Sequence, residues 1–256
     1  MFPRLPSWRL GTLFGFPICI HLSFLLLLGF VMLSMGGAMG LAVVLMVASS
    51  VVVHELGHAL VARHLGVPVA GIGLHFFGGA AELKGLARRP GDEIAIAAAG
   101  PAVSFALAGL GYALASVTAV GAFGLFAVVN LALALFNLVP AFPSDGGRIL
   151  RALLARKHGL VRATDIAVKV GRVVCIGLVI LGLSPWGSFQ LVLVAGVLWV
   201  IGGMERLAAR MRGDHGEWTG EASAAAVEYL PPGANAKRDD TEVSSQRPPV
   251  VFVWRR

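Results

Sequence analysis

The sequence predicts an all-α polytopic membrane protein: six transmembrane helices, with a short membrane-associated β-hairpin between helices 2 and 3. Composition, the length of the apolar runs and the side on which basic residues fall carry that expectation. Of the 256 residues, 57% are hydrophobic and only 14% charged, against about 25% charged in a typical soluble domain. A soluble domain of this composition would lack the polar side chains to cover its surface. Cys19 and Cys175 are the only cysteines and both lie in apolar runs, which excludes a disulfide-stapled secreted scaffold. Arg4 and Arg9 precede a long hydrophobic stretch that ends without a small-residue cleavage site, so it does not read as a removable signal peptide.

Taken in order, the predicted spans cover residues 13–33, 39–62, 93–117, 121–139, 168–183 and 188–204. A helix needs roughly 20 residues to cross a bilayer, so the short fifth span borrows flanking residues or thins the membrane. Residues 67–85 make a poor span, with Pro68, repeated Gly and Lys84, and the alternation in VPVAGIGLHF suggests the hairpin instead. The stretch 148–172 reads as an amphipathic helix anchored by its Arg and Lys residues at the membrane surface and leading into the fifth span. Gly100-Pro101 should bend or open the third span, either for packing or to shape a site.

The formal charge of +7 does not point to nucleic acid, because the basic residues follow membrane sidedness. They sit before span one, at the end of span two, between spans two and three, between spans four and five, and after span six. The connections 34–38, 118–120 and 184–187 contain none. Both termini are therefore expected in the cytoplasm, with the protein in the cell membrane. Residues 1–212 form the expected membrane domain. Residues 213–256 form a polar, largely disordered cytoplasmic tail with a short helix near 222–230.

Ionisable groups inside such spans are expensive and functional by default. His54-Glu55-Leu56-Gly57-His58 is an H-E-x-x-H pattern within span two. On a helix the two imidazoles project from one face and can share one metal ion, while Glu55 sits where it can take a proton from water at that metal. A catalytic zinc site wants a third protein ligand. His21, Glu82, Glu93 and Asp145 are the candidates; Asp145 in NLVPAFPSDGGR matches the expected depth of the His pair best, although it could also be a helix N-cap. Asn137, a primary amide in an apolar run, needs a partner that lipid cannot offer, and a helix–helix hydrogen bond would supply one.

HELGH in an early span, followed by FNLVPAFPSDGGRILRALL in a later one, resembles the site-2 protease family, the M50-type intramembrane zinc metalloproteases. GFPICIH (Gly15–His21), the FGG of Phe77–Gly79 and the stretch ending at Pro101 resemble that family's remaining segments, so the likeness covers residues 13–206. It implies one Zn2+ ion held by His54, His58 and Asp145, with Glu55 as catalytic base. It also implies that Asn137 holds substrate or stabilises the reaction centre, and it places a His at position 21 without giving it a role. The implied activity is hydrolysis of peptide bonds in or near transmembrane segments of other proteins. Substrate proteins and the bilayer are the expected partners, nucleic acid is not, and a homo-oligomer or a regulatory membrane partner is compatible with the reading. The tail is too short for the regulatory CBS pair of some members, and no connection is long enough for a PDZ insertion.

Two other readings compete. A catalytically idle scaffold or transport component that kept a metal site would be expected to have lost Glu55 or a ligand. A prenyl-peptide-type membrane protease would want a Glu as third ligand, where this chain offers Asp145. His75 reads as an interfacial polar residue, and Arg148 could pair with a carboxylate or with lipid phosphate.

Overall fold

A computed structural model describes residues 7–75, 78–83, 87, 89–185 and 187–212. The chain begins with strands β1 (Ser7–Leu13) and β2 (Phe16–His21), then helices α1 (Leu22–Met35) and α2 (Gly37–His64). Strands β3 (Val69–His75) and β4 (Gly78–Leu83) follow, and then helices α3 (Pro90–Thr118), α4 (Gly121–Asn137), α5 (Asp145–His158), α6 (Leu160–Leu183) and α7 (Phe189–Arg212). The expected tail, 213–256, lies outside the described residues.

Six spans are not what this chain builds. Among the described residues, four helices are long and apolar enough to cross a membrane, over Met39–His64, Pro90–Thr118, Leu160–Leu183 and Phe189–Met211. The expected first span splits because β-branched Ile18 and Ile20 and the ring of Pro17 extend the chain through β2. Only the 14 residues of α1 remain helical, about 21 Å at 1.5 Å per residue, short of the ~30 Å hydrocarbon core. Gly36, at φ 69°, then breaks α1 from α2. The expected fourth span is the 17-residue α4, which is also short. Gly159, at φ 73°, divides the stretch 148–172 into α5 and the start of α6, so α6 gains a full spanning length from residue 160.

The expectation of an all-helical fold with one isolated hairpin is corrected as well. The sheet has four strands in the order β1-β2-β3-β4. Its outer pairs are antiparallel and the central β2–β3 pair is parallel, in the register Ile18↔Ile72 and Ile20↔Leu74. A parallel pair needs a long crossover, and here α1 and α2 supply it. Alternation that looked like a two-stranded element in residues 67–75 therefore recruits the N-terminal strands, a long-range pairing that local periodicity does not reveal.

This crossover lays α2 on the sheet. Phe16, Phe24, Val51, Leu56, Ala59, Ile72 and Leu74 form one buried cluster between them. Burying a large aliphatic or aromatic side chain from water is worth roughly 1.5–3 kcal/mol. With one face of α2 held this way, another is left for α3. There Gly57 brings the helices close: a Cβ on it would sit 3.0 Å from the Ala99 carbonyl oxygen. Helices α6 and α7 form a hairpin. Asp165 accepts hydrogen bonds from Arg206 Nε at 2.6 Å and Arg210 at 3.0 Å.

Candidate metal centre

His54 and His58 lie one turn apart on α2, and both are buried. Each ring is held from α3 through its Nδ1. His58 Nδ1 donates to the Ile96 carbonyl oxygen at 2.6 Å, and His54 Nδ1 lies 2.8 Å from the Ser104 hydroxyl. A carbonyl only accepts, so His58 Nδ1 carries a proton, and in the neutral ring Nε2 then has the lone pair that a ligand role requires.

Asp145 arrives from the other side, at the first position of α5. The N-cap residue is Ser144, so Asp145 is not the cap; the Ser144 hydroxyl turns back to donate to Val139 O at 2.5 Å and Ala141 O at 2.6 Å. Those bonds tighten the turn after α4. Gly146 and Gly147 let the turn lie against α5, since a Cβ at Gly147 would stand 2.9 Å from Phe142 N and one at Gly146 would overlap the Leu138 carbonyl. The pair of glycines after Asp145 thus has a steric cause.

The three side chains converge. Asp145 Oδ2 lies 3.3 Å from His54 Nε2 and 3.2 Å from His58 Nε2, and the two Nε2 atoms are 3.2 Å apart. Donors ~2.0–2.1 Å from a tetrahedral zinc ion stand about 3.3 Å from one another, so the spacing fits one such ion. Among the described residues this is the one group of three or more His, Cys, Asp and Glu side chains close enough to share a metal. The wall beside it is backbone: a Cβ at Gly100 would overlap Nε2 of both histidines. Of the Gly100-Pro101 pair, Gly100 therefore shapes the site, within an α3 that runs unbroken through both residues.

The Asp145 carboxyl is shifted by opposing causes. Burial raises its pKa, but the His54 and His58 imidazoles beside it, by hydrogen bonding and positive charge together, outweigh burial and bring it from 3.8 down to about 2. Its other oxygen faces Arg148, 4.0 Å away. Glu55 is buried beside the pair.

Other candidates lie elsewhere. Glu93 is buried but paired with Arg151. His21 stacks on His75 at the ends of β2 and β3, with ring centroids 3.9 Å apart, and belongs to the sheet rather than to the metal group. The side chain of Glu82 is outside the described residues. Asn137 ends α4 half-buried and donates to Leu133 O of its own helix at 2.9 Å, so that bond makes no helix–helix contact. A second amide does make one. Asn130, fully buried, donates to Ser50 Oγ of α2 at 3.0 Å and to Phe126 O at 3.0 Å, while its Oδ1 has no partner. An amide in the apolar run AVVNLALAL carries the same signal that singles out Asn137. Ser104 has no such local signal, since its value lies in what it touches.

Comparison with known proteins agrees with this geometry. A model described as Peptidase family M50 matches residues 42–122 and 113–178. The protein named "Putative zinc metalloprotease sll0528" of Synechocystis is 34% identical over 97% of this chain and 72% of its own. Zinc metalloprotease MJ0392 of Methanocaldococcus jannaschii is 36% identical over 78% of this chain, which spans 60% of that protein's length. The solved structure titled Site-2 Protease from Methanocaldococcus jannaschii superposes with a TM-score of 0.62 at 34% identity. That match covers 78% of this chain and 95% of that one.

Proposed function

Because the chain belongs to peptidase family M50 and is a zinc metalloendopeptidase of the site-2 protease kind, we propose that it hydrolyses peptide bonds in or near the transmembrane segments of other proteins, with Glu55 as general base. The observation that carries this reading is the convergence of His54, His58 and Asp145 at 3.2–3.3 Å, with Glu55 buried beside them in a spanning helix.

His54, His58 and Asp145 would hold a zinc ion, which would supply a Lewis acid able to polarise a carbonyl oxygen and lower the pKa of water towards ~7. The chain's own groups do the rest. Glu55 accepts the proton of the attacking water and passes it to the leaving amine. Ser104 and the Ile96 carbonyl keep both imidazoles turned to the metal. Asn137, whose Nδ2 has a second hydrogen beyond the one given to Leu133, offers a donor to the substrate carbonyl.

A transmembrane substrate must unwind before its amides can be attacked. Among the described residues β4 is an outer strand of the sheet, and an extended substrate segment adds to that edge as a further strand. Basic residues support an orientation with the metal end of α2 towards the cytoplasm and both termini on that side. Arg63 and Arg89 flank the sheet and the α5 end carries Arg156 and Lys157, whereas 34–38, 118–120 and 184–187 have none.

The test is a detergent-purified chain with a single-span model substrate, comparing wild type with Glu55→Gln. The variant should keep stoichiometric zinc and lose cleavage. Equal cleavage by both proteins rules out Glu55 as the base.

A further inference from the structure

Arg151 lies on α5, six residues beyond Asp145, and is buried although charged. All three of its guanidinium nitrogens donate hydrogen bonds. Nε donates to Glu93 Oε1 at 3.2 Å, one terminal nitrogen reaches the same carboxylate, and the other donates to Glu205 Oε1 at 2.5 Å. Its flat face covers the Phe142 ring, with Cζ 5.3 Å from the ring centroid. Each of these partners stands one step from the metal centre or from the helix at its flank. Glu93 is one turn before Ile96, whose carbonyl orients His58. Phe142 is three residues before Asp145, in the turn that delivers that carboxylate. Glu205 belongs to α7.

The two halves of the site come from different parts of the fold. The histidines and their orienting groups sit on α2 and α3, and Asp145 sits on α5. Nothing in the local sequence holds these halves at ligand distance. A buried cation shared between two carboxylates is costly to assemble and strongly destabilising to break on one side, so it tolerates little displacement of the helices that carry it. Arginine suits the role because its planar fork binds in a set direction, whereas lysine is a point charge on a flexible stem.

We infer that Arg151 is a positioning residue for the metal centre. Through Glu93 and Phe142 it sets the distance between the α2–α3 pair carrying the histidines and the α5 terminus carrying Asp145. Glu205 brings α7 into the same unit. This rests on His54, His58 and Asp145 being the zinc ligands, but not on any role for Glu55 or on the nature of the substrate.

The experiment uses the full chain in detergent, as wild type, Arg151→Lys, Glu205→Gln and Asp145→Ala. Zinc affinity is read by competition with a chromogenic chelator. The visible absorption of the cobalt-loaded protein reports ligand geometry, and thermal unfolding of the metal-free protein reports general stability. Arg151→Lys, which keeps the charge and loses the fork, should weaken zinc binding roughly tenfold or more, as loss of an outer support of a ligand does, and should alter the cobalt spectrum. Glu205→Gln should move both readouts the same way by less. Wild-type affinity and spectrum in both variants overturn the inference, even if they melt earlier, because a merely structural ion pair would lower stability alone. Unchanged zinc binding in Asp145→Ala would instead overturn the ligand assignment beneath it.

Discussion

His58 gives its Nδ1 hydrogen to the carbonyl oxygen of Ile96, 2.6 Å away on the neighbouring helix. That bond decides which ring nitrogen faces Asp145. It also explains why α3 must lie so close to α2, with Gly57 and Gly100 facing across the contact. The metal centre is therefore a property of a helix pair rather than of the H-E-x-x-H segment alone.

Ser104 plays the matching part for His54, at 2.8 Å from its Nδ1. Ser104→Ala leaves that ring nitrogen buried without its partner. Loss of such an outer contact typically costs about 10–100-fold in metal affinity or activity. Zinc dissociation measured against a chelator should show a loss in that range while helical content by circular dichroism stays unchanged. Wild-type dissociation would mean that the hydroxyl is dispensable.

Gly100→Ala should be more severe. Its Cβ would overlap Nε2 of both histidines, so the methyl group competes for the space a metal needs. Overpacking ordinarily costs ~1–3 kcal/mol, and here the strain falls on the ligand atoms. Metal content of the purified variant is expected to be far below one ion per chain, with the protein still folded. Full zinc occupancy would contradict the arrangement of α3 against α2.

The Asp145 carboxyl gives the metal-free protein an acid-sensitive contribution to stability. Its pKa falls from 3.8 to about 2 on folding, so the unfolded chain takes up a proton more readily than the folded one. The contribution is fully present above about pH 4 and disappears as pH falls through about 2. Denaturant melts of the apo protein should therefore lose stability on acidification across that window. Asp145→Asn should lose this component; an identical pH profile for the variant would assign the effect to other carboxylates.

The edge of β4 can be tested by proline. Along an antiparallel strand, successive N–H groups point alternately to the partner and away from it. Of Ala80→Pro and Ala81→Pro, one removes a hydrogen bond to β3 and the other removes an N–H from the open edge. The edge variant should lower cleavage of a transmembrane substrate without changing zinc content, whereas the inward one should destabilise the sheet. Undiminished cleavage by both variants would exclude strand addition at β4.

Much of the chemistry was legible in the residues because a bilayer makes polarity conspicuous. His54, Glu55 and His58 at helical spacing, inside a run such as VASSVVV, announce a metal site, since no hydrocarbon environment tolerates them idle. Asp145 could be chosen over Glu82 and Glu93 from depth alone, and Glu93 proved to be taken by Arg151. The number of spans is not legible in the residues, for an equally physical reason. Apolar length measures burial in lipid or protein but not the backbone's conformation. The run through Gly15–His21 is apolar because it is a strand packed on α2 beside Ile72 and Leu74, and of its two partner strands β1 is adjacent while β3 is some fifty residues away.

By itself, then, the sequence determined the solvent of this protein and the pair of imidazoles that one helix turn must bring together. Those follow from composition and from the 3.6-residue period, which are local. Only the tertiary structure decided that β2 pairs with β3 through the α1–α2 crossover, that Gly100 leaves room for the metal, that Ser104 and Ile96 aim the ligands, and that Arg151 joins both halves of the site. Each of these is a contact between segments far apart in the chain, and such contacts leave no periodic trace along it.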